Sequence, residues 1–382
     1  LAGLAATQVT ALETTDLVTL TTTQLRGLTT TQIAALSTTQ VGALTTTQVA
    51  GLASAPIGAL TTTQLSALTT TQIAAMGTTQ VRGLSSAQVA ALTTTQVGAL
   101  TTTQIGAMTL GQVMGFETTD LAALTTTQVG GLTRTLIGGL STTQLRGLET
   151  TDLAVLTTTQ IGGLGASQVG ALTTTQAGAL TTTQLAALTS TQVSGLTTTQ
   201  MGILTTTQIG GLGTTQVRAL GSAQVAALTT TQVGVLSTTQ IGALGVTQVR
   251  GFETTDIAVL NTTQLGALTS TQIAALTGTQ VSALTTTGIA ALTTTQQGGL
   301  GSSQLGALTT SQVAALTTTG VVALTTAQVA GLTTTQIGAF TTTQVVALET
   351  SDIAALTDAQ VAGFTTTQIG AMSTAQANAL FA

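Results

Sequence analysis

The sequence predicts an all-α solenoid of very short capped helices, one for each octapeptide. Three observations support this prediction. A large apolar residue recurs at every eighth position from Leu4 to Leu380, which gives 47 octads. Most octads carry Thr and Gln at the spacing of a helix capping box. The phase of the repeat never slips, so we expect residues 1–382 to form a single continuous octapeptide-repeat solenoid.

Each position of the octad has a role in this prediction. In LTTTQVGAL, residues 92–100, Thr93 is the expected N-cap and Gln96 the third helical residue, so each side chain can satisfy the backbone amide of the other. Leu92 and Val97 have the spacing of a hydrophobic staple, and the helix is expected to run to Leu100. The structural residues of two successive octads are then Leu92, Thr93, Gln96, Val97, Leu100, Thr101, Gln104 and Ile105.

A longer repeat is superimposed on the octads. Residues 77–108 reappear with few changes as residues 213–244, at an offset of 136 residues or 17 octads. Part of the chain therefore resembles a duplicated block. A chain that lengthens by copying suits a linear object better than a closed one.

Two other backbone arrangements compete with short helices. One long helix would rotate its apolar stripe by about 80° per octad and could not bury it. A β-solenoid remains the alternative, because Thr, Val and Ile favour strands. However, the two apolar columns are separated by odd numbers of residues, which would place them on opposite faces of a strand.

Composition excludes several classes of function. Only 4% of residues are charged, the net charge is −5, and 1% are aromatic, so the chain has no basic or stacking surface for nucleic acid. His and Cys are absent, which excludes a Ser-His-Asp or Cys-His catalytic set and soft metal ligands. No apolar run approaches the roughly 18 residues of a membrane span. We expect a protein that is not an enzyme and uses no cofactor.

The strongest chemical pattern is Glu-x-x-Asp, which occurs five times, and two of these pairs are Glu13/Asp16 and Glu349/Asp352. Paired carboxylates could bind calcium if they meet across coils. The competing interpretation, which we favour, is a charged capping variant that adds solubility. We predict no metal site, and the weak candidates are Glu117, Asp120, Glu149, Asp152, Glu253 and Asp256.

Isolated helices shorter than about 12–15 residues are marginal in water, so these helices must stack on their neighbours. Burial of one Val and one Leu per octad does not offset the conformational entropy of eight ordered residues. Contacts between solenoids are therefore expected, and with them self-association into fibres.

The phrase LTTTQVAGL at residues 44–52 resembles the Thr/Gln-rich octapeptide tracts of large bacterial surface and secreted proteins. This resemblance implies an adhesin-like or matrix component at the cell surface, with cell-surface or matrix glycans as partners. Our leading hypothesis is a structural protein that forms or reinforces an extracellular bacterial fibre. The alternatives are a Thr-array β-solenoid that binds ice or polysaccharide, and a passive spacer or stalk in a giant adhesin.

Overall fold

Each octapeptide forms one short α-helix that starts directly after its N-cap. The computed structural model describes residues 1–381, which contain 47 α-helices of four to seven residues and no β-strand. The chain divides into two units, Leu1–Gly195 and Leu196–Ala382, and each is described by itself. The described residues are an all-α repeat solenoid, as predicted.

The first unit contains helices α1 to α24, with the following bounds. They are α1 (Ala6–Thr10), α2 (Thr14–Leu17), α3 (Thr22–Arg26), α4 (Thr30–Ala35), α5 (Thr38–Ala43), α6 (Thr46–Gly51), α7 (Ser54–Gly58), α8 (Thr62–Ser66), α9 (Thr70–Ala75), α10 (Thr78–Arg82), α11 (Ser86–Ala90), α12 (Thr94–Gly98), α13 (Thr102–Ala107), α14 (Leu110–Val113), α15 (Thr118–Ala122), α16 (Thr126–Gly130), α17 (Arg134–Gly139), α18 (Thr142–Arg146), α19 (Thr150–Val155), α20 (Thr158–Ile161), α21 (Ala166–Ala171), α22 (Thr174–Ala179), α23 (Thr182–Ala187) and α24 (Ser190–Ser194).

The second unit contains helices α25 to α47, with the following bounds. They are α25 (Thr198–Ile203), α26 (Thr206–Gly210), α27 (Thr214–Ala219), α28 (Ser222–Ala226), α29 (Thr230–Gly234), α30 (Thr238–Ala243), α31 (Val246–Val249), α32 (Thr254–Val259), α33 (Thr262–Gly266), α34 (Ser270–Ala275), α35 (Gly278–Ala283), α36 (Thr286–Ala291), α37 (Thr294–Gln297), α38 (Ser302–Gly306), α39 (Thr310–Ala314), α40 (Thr318–Val322), α41 (Thr326–Val329), α42 (Thr334–Gly338), α43 (Thr342–Ala347), α44 (Thr350–Ala354), α45 (Asp358–Val361), α46 (Thr366–Ala371) and α47 (Thr374–Leu380).

The capping box forms as the sequence predicts. The Thr93 hydroxyl accepts a bond from the Gln96 backbone N–H at 3.2 Å, and Gln96 Oε1 accepts one from the Thr93 N–H at 3.0 Å. Helix α12 ends at Gly98, whereas the sequence predicted a helix that runs to Leu100. A bond from the Leu100 N–H to the Val97 carbonyl, at 3.1 Å, closes the last turn. The β-solenoid alternative is wrong, because the threonines occupy N-caps and first helical turns.

The helices are arranged in coils of between three and four octads. In the first unit, α8 contacts α11, three octads later, and Ser66 Oγ in α8 donates to the carbonyl of Ala91, the C-cap of α11, at 2.9 Å. The side chain of Gln96 in α12 reaches back four octads to Leu65 and Ser66 of α8. Each octad therefore packs against octads on the adjacent coil at both offsets.

Two apolar columns fill the core of each unit. Val97 and Ile105 represent the column at the fourth helical residue and are fully buried. Leu92 and Leu100 represent the column that links helices and are also buried. The hydrophobic staple expected between the Leu and Val columns thus lies in the interior, where burial of aliphatic side chains stabilises the stack.

Small residues, mostly Ala or Gly, precede most of the Leu residues and permit close approach of backbones. A Cβ atom built on Gly163 would lie 2.3 Å from the carbonyl oxygen of Arg134, the first residue of α17. No residue in 1–381 has a positive φ angle, so this glycine is required for space rather than for backbone conformation.

Candidate functional site

The glutamine at the third helical residue makes two sets of bonds at once. Besides its capping bond, the Nε2 of Gln96 donates to the carbonyl oxygens of Leu65 at 3.0 Å, Ser66 at 3.3 Å and Leu68 at 2.7 Å. The first two carbonyls belong to the last turn of α8 and the third follows its C-cap, a region where a helix has few amide donors for its carbonyls. The side chain is 3% exposed. One amide group therefore caps its own helix at the N-terminus and another helix at the C-terminus.

The arrangement recurs along both units. Gln104 accepts the Thr101 N–H at 2.6 Å and donates to the carbonyl of Met76 at 2.7 Å. In the second unit, Gln264 donates to the carbonyl of Leu236 at 2.9 Å. The spacing between donor and acceptor is 28 residues each time. We call the third helical position of all octads, which is buried in most of them, the glutamine column.

Sequence reasoning identified the capping role of the glutamine column but missed the bonds between coils. A signal was present, because the third helical residue is Gln in 38 of 47 octads and never Glu. A capping box uses either residue. Only Gln has N–H groups to donate to another helix, whereas a carboxylate only accepts. The exclusion of Glu therefore favours a side chain that can donate at this position, although five octads carry Asp there.

Four octads have an apolar residue or glycine in the glutamine column, at Pro56, Leu136, Gly288 and Gly320. At Gly320 the missing side chain is matched by a larger neighbour three octads earlier. Gln297 replaces the usual Val there, and a Cβ atom on Gly320 would lie 2.0 Å from Gln297 Oε1. The Gln297 amide is buried and neither of its polar atoms has a hydrogen-bond partner within residues 1–381.

The Glu-x-x-Asp octads place their two carboxylates in different environments. Glu117, Glu149 and Glu253 are exposed N-caps, whereas Asp120 and Asp152 are buried in the glutamine column. Asp256 is buried in the same way. Of the favoured interpretation, a charged capping variant that adds solubility, the exposed Glu can supply the solubility. The Asp cannot, because the adjacent coil covers the third helical residue.

Each of these three aspartates makes the capping bond of the glutamine column but cannot donate to the adjacent coil when it is ionised. Oδ2 of Asp120, Asp152 and Asp256 accepts from the N–H of its N-cap Glu at 3.0, 3.2 and 3.1 Å. An ionised carboxylate cannot donate to the carbonyls that the adjacent coil presents. These octads therefore place acceptors opposite acceptors.

Burial raises the pKa of all three aspartates above its ordinary value. The N–H of the N-cap Glu partly opposes the effect, and the negative charge of that Glu adds to it. Burial also raises the pKa of Asp352, with a further contribution from the charge of Glu349. The folded chain therefore holds a proton on these carboxyls more readily than the unfolded chain does.

The remaining surface has few reactive groups. Within residues 1–381 no three His, Cys, Asp or Glu residues cluster as a metal site, so none of the weak metal candidates belongs to a set of three acidic ligands. Arg146 is exposed, and its Nε donates to the Ala171 carbonyl at 2.7 Å. None of the helices in the described part of the chain is long and apolar enough to cross a membrane.

Comparison with known proteins places the repeat in a family. No curated protein matches the chain. The family model of the ALTTAQ repeat matches ten segments that together cover most of the sequence. They are residues 9–46, 46–78, 73–110, 145–182, 182–214, 206–238, 249–286, 287–318, 321–350 and 345–381. The chain belongs to the ALTTAQ repeat family.

Proposed function

We propose that this chain is a structural protein that forms or reinforces an extracellular bacterial fibre. The observation that carries the proposal is the glutamine column, in which buried amides such as that of Gln96 join one coil to another at a constant offset. The same bonds can be repeated for any number of octads. Stability in such an array is roughly a sum over neighbouring repeats.

The chemistry of these bonds suits a material exposed to changing surroundings. They join neutral amides to neutral carbonyls, so salt does not screen them as it screens surface ion pairs. Only six residues are Arg and none is Lys, which leaves few cleavage sites for proteases that recognise basic residues. Both properties favour a load-bearing element outside the cell over a regulated intracellular protein.

The surface composition supports association of one chain with another. In octads such as residues 93–100, the exposed positions carry Thr and Gly rather than charged side chains. Surfaces with little charge associate more readily than highly charged ones. We propose that lateral contacts between such faces bundle the solenoids.

Electron microscopy of the purified chain over a range of concentrations tests this proposal. We expect filaments or bundles whose length or width grows with concentration. Particles of one constant size at all concentrations would contradict self-association and favour the spacer alternative. The ice-binding alternative loses its structural basis, because Thr94 and Thr95 lie in a helical turn rather than in an extended ladder.

A pair of deletions tests whether the octad is the unit of construction. Removal of residues 157–164 deletes one whole octad, so every remaining capping box and glutamine keeps its phase. Removal of residues 157–160 deletes half an octad and places later apolar columns out of phase. We expect the first variant to retain the helical circular dichroism signal and the filaments, and the second to lose cooperative unfolding. Equal tolerance of both deletions would contradict the proposal.

A further inference from the structure

Glutamate occurs in this chain only together with aspartate. All five Glu residues are N-caps, and each is followed three residues later by Asp in the glutamine column. Capping does not explain the Glu, because its side chain accepts no capping bond at Glu117, Glu349 or the other three positions. Two carboxylates in one helical turn repel each other. The strict pairing therefore calls for a compensating positive charge.

In the octad of Glu349 and Asp352, a buried carboxylate oxygen lacks a compensating partner. Asp352 is 2% exposed, and its Oδ2 is buried without a hydrogen-bond partner among residues 1–381. The Glu349 side chain lies over the same helical turn, where its Oε2 accepts from Ser351 Oγ at 3.4 Å. A buried carboxylate oxygen with no partner carries a large desolvation cost.

Backbone carbonyls complete an all-oxygen environment. The offsets of 31 and 28 residues used by the glutamine column lead from Asp352 to the carbonyls of Val321 and Leu324. In the described residues no protein group donates to the Leu324 oxygen. The Asp side chain is one methylene group shorter than Gln, which leaves room between the carboxylate and these carbonyls. A cation can occupy the place that the Gln amide takes elsewhere.

We propose that Glu349, Asp352 and the carbonyls of Val321 and Leu324 bind a calcium ion, which joins the two coils in place of a glutamine amide. Calcium accepts carboxylate and carbonyl oxygens in variable geometry, whereas magnesium requires a stricter octahedron. The ion neutralises both carboxylates and satisfies the unpaired carbonyl. Asp120, Asp152 and Asp256 stand in octads of the same Glu-x-x-Asp pattern, but there Oδ2 already accepts the N–H of the N-cap Glu. The proposal extends to these octads as three further sites, which gives four per chain.

Calcium binding by the full chain tests this proposal by isothermal titration calorimetry and thermal unfolding at neutral pH. We expect about four bound ions with affinities near 10⁻⁴–10⁻³ M, as in weak extracellular calcium sites, and a higher unfolding midpoint in calcium than in chelator. The decisive variant replaces Asp120, Asp152, Asp256 and Asp352 by Gln. It restores an amide donor to each octad, so it should fold without calcium and lose both the binding heat and the midpoint shift.

Two controls distinguish a specific calcium site from nonspecific binding of calcium to carboxylates. Asp358→Asn removes an exposed carboxylate outside any Glu-x-x-Asp octad and should leave calcium binding unchanged. The four-site variant still contains Glu13 and Asp16, both exposed, so binding that persists in it would assign calcium to surface carboxylates and overturn the proposal. Equal midpoints of the natural chain in calcium and in chelator would also overturn it, because protons or water would then fill the space.

Discussion

The side-chain amide nitrogen of Gln96 lies 2.7 Å from the carbonyl oxygen of Leu68, 28 residues earlier in the chain. This contact joins the N-terminus of one helix to the C-terminal end of another. Because the same Gln also accepts from the Thr93 N–H, its oxygen and nitrogen are both engaged. The helices are too short to be stable alone, so bonds of this kind define the fold.

Replacement of Gln96 by Glu should destabilise the first unit. The carboxylate can still accept the Thr93 N–H, but it leaves the Leu68 carbonyl without a donor and places charge against it. Loss of one partner of a buried hydrogen bond costs about 1–3 kcal/mol. Hydrogen exchange of amides in residues 92–100 should report the loss as faster exchange. Gln8→Glu, at an exposed residue in the same column, should change exchange little.

In chelator, the stability of the natural chain should increase as the pH falls from neutral. The raised pKa values of Asp120, Asp152, Asp256 and Asp352 mean that the folded state binds protons more tightly than the unfolded state. Their contribution is full below the unfolded pKa, about 3.9, and is lost as the pH rises through the folded values.

Thermal unfolding between pH 4 and pH 8 would measure this dependence, with the four-site Gln variant as its control. The variant lacks the four buried carboxyls, so its midpoint should change much less over the same range. A natural chain whose stability falls steadily on acidification would contradict the assignment of these carboxyls as buried and repelled.

Two glycine-to-alanine substitutions should have opposite signs. Gly163→Ala introduces a methyl group 2.3 Å from the Arg134 carbonyl oxygen, and overpacking of this kind costs about 1–3 kcal/mol. Gly98→Ala meets no atom within 4 Å and should stabilise its helix by up to about 1 kcal/mol. Chemical denaturation followed by circular dichroism would compare them. If both substitutions changed the stability by a similar amount, the close approach of backbones would not be the reason for glycine at residue 163.

Gln297 and Gly320 should behave as a coupled pair. Gly320→Gln alone forces a side chain into the space that the Gln297 amide occupies, so it should destabilise the second unit by about 1–3 kcal/mol. Gln297→Val removes two unpartnered polar atoms and empties that space. The double variant restores the common octad at both positions and should be more stable than the natural chain. Additive effects in this double-mutant cycle would contradict the coupling.

Local features of the sequence predicted the local structure well. Thr93, Gln96 and Val97 occupy the N-cap, third and fourth helical positions that the capping pattern assigns to them. The bonds between coils could not be predicted in the same way. The partner of Gln96 is Leu68 only because each coil holds between three and four octads, and that number depends on how the helices pack rather than on any single octad.

The environment of the aspartates was missed for the same reason. Asp120 follows the spacing of an exposed first-turn acid, yet the adjacent coil buries it. The sequence contained an indirect indication, because Asp120 occupies the third helical position, which is Gln in most octads. This indication predicts burial only once it is known that the glutamine side chains contact the adjacent coil.

The buried amides of the glutamine column reach from later residues to earlier ones, as from Gln96 back to Leu68. A segment that emerges from the ribosome therefore meets acceptors that are already in place. Folding can then proceed vectorially, with each new octad docking onto finished coils. The template for each step is the preceding stretch of the same polypeptide, so long chains need not wait for completion of synthesis before they become ordered.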